Sequence, residues 1–217
     1  TDYGVFEIGM SKKGEINNLS KIIRPETAII TNISEAHFEN FNTLKDIAKA
    51  KAEIMNHISK NGNIILNKDS KFFSFLSNKA SKKRINVISF GCKRKSDIFL
   101  SDIKRIKNYY RLKIIVKNKI FYFDTKYSTN NFINNILACI SLMFIFDLNL
   151  NKMKKKFKNF AIPDGRGDIK IVKKFNKRFK FIDESYNANP LSMASAIKNM
   201  NYYNRKKNQR KLVFLCL

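Results

Sequence analysis

The chain has 217 residues, 44% hydrophobic and 28% charged, which is enough for one sizeable domain or for one domain and part of another. Its three prolines and seven glycines exclude a collagen-like or low-complexity chain. The longest nearly apolar run, 136–146, is shorter than the roughly 20 residues of a membrane span, and Asp2 and Glu7 interrupt any signal sequence. Three widely spaced cysteines favour a reducing compartment, so we expect a cytoplasmic protein without membrane insertion.

The net charge of +26 is typical of a nucleic-acid-binding module, which stays open as an alternative of a different class. The charge is unevenly distributed, because the first 60 residues hold eight basic and eight acidic side chains and the rest of the chain carries the whole excess. Most basic residues are lysines scattered among asparagine, isoleucine and phenylalanine, the amino acids of A/T-rich codons. We therefore expect a diffuse basic surface and no nucleic-acid partner.

Strands and helices alternate along the first part of the chain. The predicted elements are strands at 3–8, 27–33 and 63–66 and helices at 17–23 and 43–58. Thr43 and Asp46 form a capping box at the start of the second helix. This order predicts an α/β fold with a doubly wound, parallel sheet.

Between residues 85 and 127 the pattern becomes rich in strands, which predicts an antiparallel meander and not another strand–helix unit. The predicted strands are 86–90, 98–103, 109–116 and 120–123, and helices follow at 131–146 and 151–160.

Pro163-Asp164-Gly165 interrupts the chain and divides it into predicted domains at 1–162 and 163–217. In the second domain we expect strands at 169–175, 179–183 and 212–217 and a helix at 190–203 that Asn189 caps. Because the last apolar strand has no cap or polar tail after it, we expect a fragment of a longer protein.

Polar side chains follow the predicted strands, where a doubly wound sheet binds its ligands. Glu7 closes the first strand, Asn32 and His37 follow the second, and Lys51 lies on the next helix. A carboxylate, an imidazole and a lysine beside a sheet could hold a hard cation and a phosphate. Taken singly, each has a plainer interpretation: Glu7 as a helix cap, His37 as a loop histidine and Lys51 as a solvated charge.

Several strings in the chain together resemble one family. Glu7-Ile8-Gly9, Thr31-Asn32-Ile33 with Ala36-His37-Phe38-Glu39, and the run 48–54 are similar to the central domain of Mur ligases. Residues 183–193, with Tyr186-Asn187-Ala188-Asn189-Pro190 as the most specific part, resemble the start of the carboxyl-terminal domain of the branch that adds D-alanyl-D-alanine. The resemblance implies a central ATPase domain, with a doubly wound, mostly parallel sheet and a small antiparallel meander, followed by the start of a Rossmann-like domain.

The resemblance also implies roles for particular residues. On the metal side, Glu7 and His37 match magnesium ligands, and Lys51 matches a lysine that reacts with carbon dioxide to give a carbamate, which helps to hold a second magnesium ion. The matches to nucleotide and substrate contacts are Asn134 with Asn131 for adenine, Arg166 for the phosphates, Glu184 for the ribose, and Asn32 and Asn187 for the substrates. Asn187 could orient the incoming dipeptide or simply build the turn. The family usually has aspartate at the position of Glu184 and histidine at that of Asn130, so these two contacts differ here.

The activity that the resemblance implies is that of an ATP-dependent ligase forming a C–N bond in peptidoglycan synthesis. ATP and Mg²⁺ would convert the carboxylate of UDP-MurNAc-tripeptide to an acyl phosphate, which D-alanyl-D-alanine then attacks; we expect a monomer. The sequence contains no Gly-x-x-x-x-Gly-Lys-Ser/Thr loop, which the family carries upstream, so we expect the fragment to be inactive alone. Another Mur ligase or a folylpolyglutamate synthase relative is the alternative within the same class.

Overall fold

The computed structural model describes residues 2–34, 40–92, 96–154, 156–186 and 190–200. The chain forms two compact units, Thr1–Phe160 and Ala161–Leu217. The first contains a six-stranded sheet and the second a two-stranded sheet.

The six strands of the first unit lie side by side in chain order. They are β1 (Thr27–Ile30), β2 (Asn63–Asn67), β3 (Asn86–Gly91), β4 (Ile98–Ile106), β5 (Tyr109–Val116) and β6 (Lys119–Thr125). Strands β1 to β4 pair in parallel, and β4, β5 and β6 form an antiparallel meander. The predicted mostly parallel sheet with a small meander is therefore confirmed.

Helices cover both faces of this sheet. They are α1 (Glu15–Ile23), α2 (Leu44–Lys51), α3 (Phe73–Lys82), α4 (Asn130–Ile145), α5 (Leu150–Met153) and α6 (Lys156–Asn159), and a 3₁₀ helix (Ala52–Asn56) continues α2. Because side chains alternate along a strand, Ile64 and Leu66 of β2 pack into one core with α1, α2 and α3, whereas Ile65 packs into the other with α4. The sheet is thus doubly wound, as predicted.

The predicted strand at 3–8 is wrong. Residues 2–10 form no strand, and the side chains of Tyr3, Val5 and Phe6 are exposed. A strand needs a neighbour to satisfy its backbone hydrogen bonds, and in the described part of the chain β1 pairs only with β2. The apolar run therefore lies outside the sheet, although the Tyr3 ring contacts the edge of Phe146 at a centroid distance of 5.2 Å.

The first strand of the predicted meander, at 86–90, is parallel to its neighbours and belongs to a strand–helix–strand unit that begins before residue 85. Helix α3, which the sequence did not lead us to expect, connects β2 to β3, and β3 is parallel to β2. Its buried residues, Leu76 and Ala80, stand four positions apart among serines and lysines, so its apolar face is narrow. The meander proper starts only at β4, which pairs with β3 over a short register of Phe90 to Ile98 and Gly91 to Phe99.

Two other helical predictions are partly confirmed. The Thr43 Oγ accepts a hydrogen bond from the Asp46 amide at 3.2 Å and donates to its carboxylate at 2.6 Å, which confirms the capping box of α2. The predicted helix at 43–58 changes to 3₁₀ geometry after Lys51, and the predicted helix at 151–160 consists of the short helices α5 and α6.

The second unit contains β7 (Asp168–Lys174), β8 (Lys177–Asp183) and α7 (Pro190–Asn199). The two strands form an antiparallel hairpin, and Phe175 and Asn176 at its tip have positive φ angles of 51° and 57°, as a two-residue type I′ turn requires. The predicted cap Asn189 and the predicted strand at 212–217 lie outside the described residues. Among the described helices, none has the length and apolar character needed to cross a membrane.

Candidate active site

Lys51 and Asn32 meet beside the first parallel strand. Asn32 follows the end of β1, and Lys51 is the last residue of α2. The Lys51 ammonium nitrogen donates a hydrogen bond to the backbone oxygen of Asn32 at 2.8 Å. The Asn32 side chain is itself held by the backbone, because its Oδ1 accepts from the Ile33 amide at 2.8 Å. The structure therefore joins two of the predicted site residues, Lys51 and Asn32, by a direct hydrogen bond.

Burial shifts the acid–base equilibrium of the Lys51 amine towards its uncharged form. The side chain is half-buried, and burial lowers the pKa of the Lys51 amine below its ordinary value, because desolvation penalises the charged form. A lysine with a lowered pKa acts more readily as a nucleophile or forms a covalent adduct. Capping of α2 by Thr43 and Asp46 fixes the helix that carries this amine.

Of the other two predicted magnesium ligands, only Glu7 lies within the described residues. Glu7 is exposed and lies in the segment outside the sheet, so the prediction that it closes a strand is wrong. His37 lies outside the described residues. Within the described residues there is no group of three or more histidine, cysteine, aspartate or glutamate side chains that could hold a metal ion. The oxygen donors of Glu7 and of a Lys51 carbamate are nevertheless of the type that Mg²⁺ prefers.

The predicted adenine contacts lie on α4, against the sheet face opposite to that of α2. Asn131 is exposed, whereas Asn134 is half-buried and its Oδ1 has no hydrogen-bond partner within the part of the chain that the structure describes. A buried acceptor without a partner costs about 1–3 kcal/mol. This amide oxygen is therefore suited to an N–H donor of a ligand.

In the second unit, the loop that carries Arg166 lies against the turn after β8 that carries Glu184. The Gly167 amide donates to the Asp183 oxygen at 2.6 Å, and the Tyr186 amide donates to the Gly165 oxygen at 3.0 Å, so two backbone hydrogen bonds join the loop to the turn after β8. Desolvation, together with the charge of Asp183, raises the pKa of the Glu184 carboxyl. The other predicted substrate contact, Asn187, lies outside the described residues.

Glu53 is an anchoring residue to which the sequence assigned no role. Its carboxylate accepts hydrogen bonds from the Gly14 amide, at 3.0 Å to each oxygen, and from the Asn17 amide at 3.2 Å. Gly14 is the N-cap of α1 and has no side chain that could cap the helix. The Glu53 carboxylate, 39 residues further along the chain, accepts the amide hydrogen bonds instead. The contact joins the 3₁₀ helix after Lys51 to the first turn of α1. No local sequence pattern could have indicated a partner at this distance.

Comparison with known families identifies the fold of the first unit. The family model described as the Mur ligase middle domain matches residues 1–143. The chain belongs to the Mur ligase family. Among curated relatives, the UDP-N-acetylmuramoyl-tripeptide–D-alanyl-D-alanine ligase of Rickettsia prowazekii is 34% identical over 199 residues, which are 91% of this chain and 43% of the relative. The ligase of the same name from Buchnera aphidicola subsp. Acyrthosiphon pisum is 34% identical over 207 residues, or 90% of this chain and 42% of the relative.

Solved structures of this Mur ligase branch have the same fold. A crystal structure of MurF from Acinetobacter baumannii matches with a TM-score of 0.81 and 26% identity, and the match covers 92% of this chain and 42% of that one. MurF from Thermotoga maritima in complex with ADP matches with a TM-score of 0.78 over 94% of this chain and 47% of that one; at 23% identity this likeness concerns the fold alone. The chain thus spans a little over two fifths of the length of the curated relatives it matches.

Proposed function

We propose that this chain is the nucleotide- and metal-binding part of an ATP-dependent ligase that joins D-alanyl-D-alanine to UDP-MurNAc-tripeptide in the cytoplasm, during peptidoglycan synthesis. The observation that carries the proposal is the half-buried Lys51 amine beside the end of β1 in a Mur ligase middle domain. The substrate assignment is supported by the names of the relatives from R. prowazekii and B. aphidicola.

Lys51 acts in this proposal as a carbamate. Its uncharged nitrogen forms a bond to the carbon of carbon dioxide and loses one proton, so that a cation becomes a carboxylate on the same stem. The carbamate nitrogen keeps one N–H group, which can still donate to the Asn32 oxygen that Lys51 now contacts at 2.8 Å. Glu7 and His37 would hold one Mg²⁺ ion and the new carboxylate would help to hold a second, and these ions would supply positive charge that offsets the charge of the phosphates.

The nucleotide contacts follow the same proposal. The unpaired Oδ1 of Asn134 would accept a hydrogen bond from the adenine amino group, with Asn131 beside it on α4. Glu184 would contact the ribose through a carboxylate that reaches one methylene further than aspartate. Arg166 would contact the phosphates, and Asn187 the incoming dipeptide.

The contribution of these residues to the reaction is positioning and charge neutralisation. The tripeptide carboxylate would attack the γ-phosphoryl group of ATP, which gives an acyl phosphate and releases ADP. The amine of D-alanyl-D-alanine would then attack the acyl carbon, lose a proton and displace phosphate, which forms the amide. Little covalent chemistry falls to the protein in phosphoryl transfer, so the rate depends on holding the reacting groups in line and offsetting the developing charge. Arg166 supplies a permanent cation for this purpose.

The proposal is tested in the complete gene product that contains these 217 residues. Phosphate release should require UDP-MurNAc-tripeptide, D-alanyl-D-alanine and ATP together. Lys51→Ala should lose most activity, and Lys51→Arg should fail equally, because arginine keeps a positive charge where the carbamate is negative. Short-chain carboxylic acids should partly rescue Lys51→Ala and not Lys51→Arg, and removal of bicarbonate should lower wild-type activity reversibly.

Lys49 is the matched control. It lies on the same helix, is exposed and pairs with Asp46 at 3.2 Å, so Lys49→Ala should remain close to wild type. An active Lys51→Arg enzyme that is indifferent to bicarbonate would exclude the carbamate. Phosphate release that does not depend on D-alanyl-D-alanine would exclude the proposed acceptor.

A further inference from the structure

We infer that Tyr186 is a positioning residue, whose ring holds the Arg166 guanidinium ready for an anionic group of the nucleotide. This inference rests on the proposed role of Arg166 at the phosphates. The carbon at the centre of the Arg166 guanidinium lies 4.0 Å from the centroid of the Tyr186 ring. Within the described residues, no hydrogen bond or ion pair engages the guanidinium, so its N–H donors remain available to a ligand.

The backbone around Arg166 is built for this contact. Gly165 and Gly167, on either side of Arg166, both have positive φ angles, of 75° and 91°. A Cβ on Gly165 would lie 2.9 Å from the Tyr186 amide nitrogen, and one on Gly167 would lie 2.9 Å from the Glu184 Oε1. At Gly165 the neighbour is backbone, so glycine is required for the loop to approach the turn, whereas at Gly167 glycine is favoured by the positive φ angle, since the Glu184 side chain can move. The close approach at Gly165 brings Arg166 over Tyr186.

A positioned arginine suits a phosphate site better than a free one. Arginine has many rotamers, and fixing it only when the ligand binds would subtract from the binding free energy. Contact with an aromatic face restricts the side chain beforehand without using its N–H donors, because the attraction comes from the ring quadrupole. The Tyr186 ring therefore restricts the Arg166 side chain before the ligand binds. The ligand itself contacts Arg166 and not Tyr186.

The side chain of Tyr186 can be changed without breaking the loop–turn connection. The hydrogen bond from this residue to Gly165 uses its backbone amide, and Tyr186 as a residue is 64% exposed. Tyr186→Leu should therefore fold normally and remove only the ring. Tyr186→Phe keeps the aromatic face and should retain activity.

The test is a double-mutant cycle in the complete gene product, measured as kcat/KM for ATP. Tyr186→Leu should lower this ratio about two- to five-fold, the size of one exposed cation–π contact. Arg166→Met should lower it more, and the double variant should be no worse than Arg166→Met, because Tyr186 acts through Arg166. Tyr186→Phe retains the aromatic ring, so its kcat/KM for ATP should stay within about two-fold of wild type.

Tyr109 provides the matched control. It is another tyrosine beneath an arginine, with Arg111 5.7 Å from its ring centroid, but it lies in the meander of the first unit. Tyr109→Leu should not change kcat/KM for ATP. Equal losses from Tyr186→Leu with and without Arg166, or full activity of Tyr186→Leu, would overturn the positioning role and leave the proposed function standing. Full activity of Arg166→Met would instead overturn the proposed phosphate contact on which the inference rests.

Discussion

Removal of the Glu53 carboxylate should destabilise the first unit and loosen the start of α1. Glu53 accepts hydrogen bonds from two backbone amides, those of Gly14 and Asn17, at 3.0–3.2 Å. A hydrogen bond to a charged group contributes about 1.5–3 kcal/mol net, and loss of an N-cap costs about 0.5–2 kcal/mol. Because the site is half-buried, water partly replaces the lost acceptor, so we expect Glu53→Ala to cost about 2 kcal/mol. Glu53→Gln keeps one acceptor oxygen and should cost about 1 kcal/mol.

The assay is urea denaturation of the 217-residue chain, combined with hydrogen exchange at single amides. With a typical urea dependence of about 2 kcal/mol per molar, Glu53→Ala should lower the midpoint by about 1 M. Exchange at the Gly14 and Asn17 amides should accelerate while exchange in the meander does not. Glu26 is the control, since it is exposed at the start of β1, and Glu26→Ala should cost less than about 0.5 kcal/mol. A midpoint for Glu53→Ala equal to that of Glu26→Ala, with unchanged exchange at Gly14, would refute the capping role.

Two further predictions concern stability. Burial opposes ionisation of Asp97, but hydrogen bonds from Lys117 and Ser89 outweigh it and lower the pKa of this carboxyl. Its stabilising contribution is therefore complete above the ordinary aspartate range and lost as the pH falls through the lowered pKa, so the advantage of wild type over Asp97→Asn in urea should shrink in acid. A Cβ on Gly62 would lie 2.5 Å and 2.8 Å from two backbone oxygens, so Gly62→Ala should cost about 1–3 kcal/mol in thermal or urea unfolding, whereas Gly9→Ala, with open space around it, should be neutral. A pH-independent difference for Asp97→Asn, or a neutral Gly62→Ala, would contradict these assignments.

The sequence predicted those parts of the fold that follow from local pattern. Strand β5 lies at the predicted bounds, because its buried residues alternate with exposed or half-buried ones, and the capping box of α2 joins residues only three apart. The strand predicted at 3–8 failed because apolar character does not reveal whether a neighbouring strand is present to pair with. Helix α3 was missed because its buried stripe is narrow among polar residues.

The residues of the candidate site could be predicted where short stretches of the sequence resemble those of Mur ligases. Lys51 and Asn32, which stand 19 positions apart, meet at 2.8 Å, in keeping with their placement after a parallel strand and on the following helix. The anchoring by Glu53 and the contact of Arg166 with Tyr186 could not be predicted, because each depends on how loops fold back on distant elements. The spacing of residues along the chain does not indicate such long-range contacts.

The order of strands in the large sheet bears on how the chain acquires its structure. Among the described strands, the order in space equals the order in sequence, so each pairing in this part of the sheet joins consecutive strands. The pairing of β1 with β2, as at Thr27 and Asn63, spans 36 residues, the longest separation among the described pairings, and the closures within the meander are hairpins. Loop closures of this size carry a modest entropy cost and favour faster folding than long-range pairings do. Each described strand after β1 therefore pairs with the strand that was synthesised just before it.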